Sequence, residues 1–426
     1  MLCTTVCAPR PTPHEQAEAR SALERVLNAA RPSLALDDGK RGRRVWQETR
    51  RFYTSNDLAL VWSDGRRVRA AADGLLRTLR AAEQEGLEPD DYHVDALDAA
   101  RRSFDRAHAA DFDVRCTYAY LQYAWDLTRG TIDPEDVSPQ WHGVHRDVDL
   151  HNVLRTAAAE NRVEESLAQL APHAAQYQGL KHQLAIARAK GDAATARQIA
   201  MNMDRWRWLP DDLGARYLLV NVPAFRLDAI ENGRSVLDMK VVTGKKNNPT
   251  PVLADEMTSI VFSPYWNIPP DIVQKEILPH LETDPDYLER HNIEVDESSE
   301  RYRQRPGRGN SLGQVKFVFP NHFNVYLHGT PSQSLFDRVE RDFSHGCVRL
   351  ERPLDLAKYV LRDQPEWTEE RIVAAMGRGV EQSVALKQPL PIYLVYFTAW
   401  EEQGALRSVP DVYGLDRRHT TAAEGP

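Results

Sequence analysis

The feature that most limits what this chain can fold into is a change of period near residue 213. Upstream, apolar residues recur at three- and four-residue spacing, as in "HEQAEARSALERVLNAA" and "RRVRAAADGLLRTLRAAEQEGL", the stripe of an amphipathic helix. The second run ends in "EGLEPDDY", where Gly86 and Pro89 are stop signals. "CTYAYLQYAWDLTRG", "LHNVLRTAAAENRVEESLAQL" and "AAQYQGLKHQLAIARAKG" continue the helical pattern. Downstream, "ARYLLVNVPAFRLDAI", "SVLDMKVVTG", "TSIVFSPYW" and "PIYLVYFTAW" are rich in Val, Ile and aromatics and predict strands. "QVKFVFPNHFNVYLHGT" predicts a hairpin turning at Pro320–Asn321, its second strand ending at His328. Between them, "DIVQKEILPHLETDPDYLERHNI" predicts helix with a proline break, and "RYRQRPGRGNSLG" a polar loop. The expected fold class is multidomain α and β: an all-α module over residues 13–213, then a mostly β domain over 214–400 and a C-terminal tail over 401–426.

Bulk properties narrow the function classes. A chain of 426 residues exceeds what one hydrophobic core usually organises. Its 42% apolar and 27% charged content is that of a globular protein. A net charge of −8 with no long basic block leaves no footprint for nucleic acid. No run approaches the ~18 consecutive apolar residues of a membrane span, so membrane contact is expected to be peripheral at most. The start, "MLCTTVCAPRPTP", lacks a basic n-region and a long apolar stretch. Residues 1–12 are therefore read either as a disordered terminus or as the remnant of an export signal. Cys3, Cys7, Cys116 and Cys347 are too few and too scattered for a disulfide framework.

Cys347 is the residue whose neighbours lift it above packing. A lone cysteine is usually a buried small hydrophobe. Here it ends "SHGC", where glycine permits a tight turn, and a segment with helical spacing follows. A helix N-terminus would lower the thiol pKa and offer N–H groups to an oxyanion. Arg349 adds a cation two residues on, and His328, at the end of a predicted strand, supplies a candidate base. The rival reading is a metal site built from His322, His328, His345 and Cys347. It lacks helical i, i+4 ligand spacing and an evident orienting carboxylate, so no metal and no cofactor are expected.

The stretch from His328 to "SHGCVRL", with a spacer of fifteen residues from Gly329 to Phe343, resembles the signature of the L,D-transpeptidase catalytic domain. "NMDRWRWLP", "VVTGKKNNPTPVL", "SPYWNIPPDIVQKEILP" and "VYLHGTP" are similar to further blocks of that family, in its large Gram-negative form with a helical scaffold domain. The small peptidoglycan-binding insert common in such relatives has no candidate between Leu170 and Trp206. The resemblance implies that Cys347 is the nucleophile, His328 its base, and Gly329 the residue whose carbonyl orients that base. It implies an oxyanion hole from the amides of His345, Gly346 and Cys347, with His345 otherwise structural. It places Tyr326, Ser344 and Arg349 along the cleft and Trp266 to Leu312 as a capping lid, with Trp266 near substrate.

The implied function is formation of 3→3 peptidoglycan cross-links in the periplasm or cell envelope. A Cys thioester would carry the tetrapeptide donor after release of D-Ala, with a second stem as acceptor and the protein a monomer. The same site would also serve an L,D-carboxypeptidase or an enzyme attaching or detaching a lipoprotein lysine. A non-catalytic envelope scaffold is the alternative from another class.

Overall fold

The computed structural model describes residues 12–29, 39–141, 146–296 and 301–424. Cys3, Cys7 and the reading of residues 1–11 lie outside the described residues. The helical half is organised around the helix Ala109–Arg129, which is buried on nearly every side. Its Asp113 carboxylate accepts the N–H groups of Val61 (2.7 Å), Trp62 (2.9 Å) and Ser63 (3.1 Å) and the Tyr53 hydroxyl (2.9 Å). A loop that could not satisfy its own backbone is thereby tied into the core.

The strands are β1 (Arg216–Asn221), β2 (Arg226–Glu231), β3 (Arg234–Gly244), β4 (Leu253–Phe262), β5 (Trp266–Asn267), β6 (Ile293–Asp296), β7 (Arg301–Gln304), β8 (Val315–Val318), β9 (Leu327–His328), β10 (Asp342–Ser344), β11 (Val348–Leu350), β12 (Gln382–Val395), β13 (Ala399–Glu402) and β14 (Ala405–Ser408). Nine of them form one sheet, ordered β10-β3-β11-β9-β8-β4-β12-β1-β2, and a further β2–β3 pairing closes it on itself. β3 does this by pairing with β2 through its first half and with β11 at Val241 and Val242.

Strand alternation explains how two cores share this sheet. Leu218, Val220, Ile392 and Leu394 point into the barrel, whereas Leu219, Tyr393 and Val395 join the helical core. Strands covered on both faces are near-continuous apolar runs, which is why "YLLV" and "PIYLVYF" show little alternation.

At the junction Trp206 stacks on Phe397 with centroids 4.9 Å apart, and Trp208 meets Trp141 edge-on at 4.8 Å. The segment expected to be a tail is folded: β13 and β14 form a hairpin, and the helix Leu415–Glu424 docks on the helical half. Arg205 holds Asp416 at 2.7 Å, and the buried Asp204 carboxylate meets Arg207 at 3.0 Å and His419 at 3.2 Å. Within residues 266–312, part of the expected loop is instead β7, paired with β5 and β6, where Arg303 reaches Glu294 and Asp296 across that small sheet.

Burial alone would push the Asp204 carboxyl up, but His419 and Arg207 overcome it and hold it down at about 2. A carboxylate depressed below its ordinary value stabilises the folded state at neutral pH, and that contribution is lost as pH falls toward the folded value. Asp204→Ala, which removes the buried carboxylate shared by Arg207 and His419, should cost about 3–5 kcal/mol at neutral pH, with the gap to wild type narrowing on acidification. Thermal unfolding at several pH values checks this; coincident melting curves would refute it.

Candidate active site

Three neighbouring strands place the chemistry. Val315, Phe317, Leu327, Val348 and Leu350 point into the barrel core. Alternation then puts Lys316, Tyr326, His328, Cys347 and Arg349 on the opposite face. Register completes the cluster: His328 sits between Lys316 of β8 and Arg349 of β11. One step back, Val348 N–H donates to the Tyr326 carbonyl at 3.1 Å, which brings Cys347 beside Tyr326. The Tyr326 ring lies 5.7 Å from the His328 ring and carries Lys316 Nζ over its face at 3.9 Å.

His328 is buried, and its Nδ1 lies 2.5 Å from the Gly329 carbonyl. A carbonyl only accepts, so the proton is on Nδ1 and Nε2 keeps its lone pair. Burial, then the charges of Arg349 and Lys316, push the imidazole down to about 3, against the pull of the Gly329 and Leu312 carbonyls. Burial raises the Cys347 thiol, although hydrogen bonding to Tyr326 and the two cations draw it back. The sequence reading expected a helix N-terminus to ionise this sulfur. The structure corrects it: Val348–Leu350 is a strand, held between β3 and β9 by its buried Val and Leu, and the helix begins only at Pro353. Burial thus favours the neutral form of both groups.

The turn before the cysteine is held by Ser344. Its hydroxyl donates to the Cys347 carbonyl at 2.5 Å and accepts the Gly346 N–H at 3.1 Å, and Gly346 adopts φ +111°. Two expectations change as a result. Ser344 is buried and braces the turn from inside rather than lining the cleft. The Gly346 amide, one of the three expected to face an oxyanion, is already engaged by the Ser344 hydroxyl.

His345 was expected to hold this loop through its ring; instead its Nε2 faces Glu276 at 3.5 Å. Trp266 packs in a separate small core with Ile268, Ile272 and Ile277, not in the cluster around the sulfur. Lys316 is the residue sequence reasoning missed. The alternation in "QVKFVF" singles out its one charged position, and only pairing with His328 reveals what it faces. Arg349 Nε is buried without an acceptor among the described residues. His322, of the metal reading, packs against Phe323 instead, with ring centroids 4.4 Å apart.

The family described as the L,D-transpeptidase catalytic domain matches residues 215–377, and the scaffold-domain family matches residues 47–184. A Haemophilus influenzae protein provisionally named an L,D-transpeptidase is 28% identical across 86% of this chain and 78% of its own length. Among solved structures, an L,D-transpeptidase from Mycobacterium smegmatis is 14% identical over 42% of this chain and 58% of its own, with TM-score 0.24. L,D-transpeptidase 3 from Mycobacterium tuberculosis, in complex with a faropenem-derived adduct, is 15% identical over 42% of this chain and 60% of its own, with TM-score 0.23. This chain thus spans under two thirds of those solved chains.

A buried imidazole held neutral destabilises the fold wherever the unfolded chain would take up a proton. Between pH 6.5 and 5 the unfolded His328 protonates and the folded one does not, so stability falls on acidification by up to about 2 kcal/mol. His328→Gln should remove that part of the slope in melting experiments. An unchanged slope would mean that His328 titrates normally in the folded protein.

Proposed function

We propose that this chain is an L,D-transpeptidase that forms 3→3 cross-links between peptidoglycan stems, a reading supported by its matches to the catalytic-domain family at residues 215–377 and the scaffold-domain family at 47–184. The observation that carries this reading is the placement of a partly accessible thiol and a buried imidazole on the same face of neighbouring strands, beside two cations. Peptidoglycan lies outside the inner membrane, so the proposed site of action is the cell envelope.

Cys347 Sγ attacks the carbonyl carbon joining the L-centre of meso-diaminopimelate to the terminal D-Ala. His328 Nε2 takes the thiol proton as the C–S bond forms, since burial favours the neutral form of both partners. The oxyanion accepts N–H groups from His345 and Cys347. On collapse the C–N bond breaks, D-Ala leaves with the proton from His328, and a thioester remains. A side-chain amine of a second stem attacks, gives a proton to His328, and displaces the sulfur, which recovers that proton. Arg349 matches a stem carboxylate through its planar pair of donors. No carboxylate stands behind the histidine in this scheme, because the Gly329 carbonyl already sets the tautomer.

Incubation with purified disaccharide-tetrapeptides and mass spectrometry of the products test the reading. Dimers with loss of D-Ala are expected; tripeptides alone would make it a carboxypeptidase, and unchanged substrate a non-catalytic scaffold. Cys347→Ala should abolish turnover with its melting temperature retained. Arg349→Ala should raise KM by about 10-fold or more, as befits a lost charge-assisted hydrogen bond. Parallel loss of stability and activity would make Arg349 a structural residue.

A further inference from the structure

We infer that Tyr413, in the C-terminal segment, is a positioning residue for the oxyanion hole and acts through Thr250. The inference rests on the acyl-transfer reading above. In a trans peptide the N–H points opposite to the carbonyl of the preceding residue, and no cis peptide occurs among the described residues. The Cys347 N–H is therefore aimed by whatever holds the Gly346 carbonyl, and the His345 N–H by whatever holds the Ser344 carbonyl. Thr250 Oγ1 donates to the Gly346 carbonyl at 2.8 Å, and Lys245 N–H donates to the Ser344 carbonyl at 2.9 Å. Both holders lie in the loop between β3 and β4. The two N–H groups are thus turned away from that loop together.

The loop has little freedom of its own. At Gly244 a Cβ would stand 2.2 Å from the Asn248 carbonyl, so the chain folds back more tightly than any other residue allows. The Gly244 N–H donates to Thr250 Oγ1 at 2.8 Å, which leaves that hydroxyl's proton for Gly346. Tyr413 then ties the two limbs together: its hydroxyl donates to the Gly244 carbonyl at 2.6 Å and accepts the Thr250 N–H at 3.2 Å. One buried phenol spans the base of the loop that aims both amides.

Tyr413 is itself seated by the domain junction. Its N–H donates to the Tyr396 hydroxyl at 2.7 Å, and that hydroxyl donates to Asp411 at 2.7 Å. The helix that follows is held to the helical half by Asp416 on Arg205 and His419 on Asp204. This segment lies beyond the residues matched by the catalytic-domain family. In this chain the scaffold and the C-terminal helix together brace the turn that carries the nucleophile.

The experiment compares two reactions of Cys347 in the full chain. Acylation by the carbapenem imipenem passes through a tetrahedral oxyanion; alkylation by iodoacetamide, which displaces iodide from a saturated carbon, does not. Each adduct is followed by mass of the Cys347 peptide. Tyr413→Phe and Thr250→Val should slow acylation by about 10-fold or more, short of the 10²–10³ for deleting a donor, and leave alkylation unchanged. Thr250→Ser, which keeps the hydroxyl, should acylate like wild type. Unchanged acylation in Tyr413→Phe and Thr250→Val, or alkylation that falls in parallel with acylation, overturns the inference alone. Wild-type protein that is alkylated but never acylated overturns the acyl-transfer reading and this inference with it.

Discussion

The site depends on the burial of Leu327, Val348 and Leu350 in the barrel. Their side chains set the register of the parallel β9–β11 pair, and successive residues of a strand face opposite ways. A slip of one residue would send the imidazole and the sulfur into the core and bring leucines to the cleft. Every polar feature of the cluster, from the Lys316–Tyr326 contact to the bond between His328 and Gly329, follows from that hydrophobic choice.

The electrostatics are those of a desolvated site rather than a preformed ion pair. Cations next to His328 and Cys347 favour the thiolate but oppose the imidazolium, and burial disfavours both charged forms. A proton can therefore move to the imidazole only as charge develops elsewhere. The proposed chemistry has that property, because the developing oxyanion and the substrate carboxylate bring negative charge to Lys316 and Arg349.

The two halves of the molecule are less independent than the change of period suggests. β1 and β12 contribute to both cores, and the helix Leu415–Glu424 returns to the helical half after the barrel is complete. The scaffold's contribution is thus architectural: it buries the outer faces of β1 and β12 and seats the segment that carries Tyr413.

Sequence alone determined much of this. Period separated the helical half from the strands, the hairpin ending at His328 was legible in its alternation, and the resemblance of the stretch from His328 to Cys347 to a family signature marked the two residues. These are local properties, carried by side-chain order along one strand or turn. What only tertiary structure decided were the properties that depend on neighbours distant in sequence. Whether "VRL" after the cysteine is strand or the approach to a helix rests on partners in β3 and β9, and its resolution as strand removed the helix field from the sulfur. Ser344 looked like a cleft residue until the turn around it closed, and Trp266 until its segment formed a separate core. Lys316 and Tyr413 carry no motif at all; their meaning comes from cross-strand pairing and from hydrogen bonds between segments that only folding brings together.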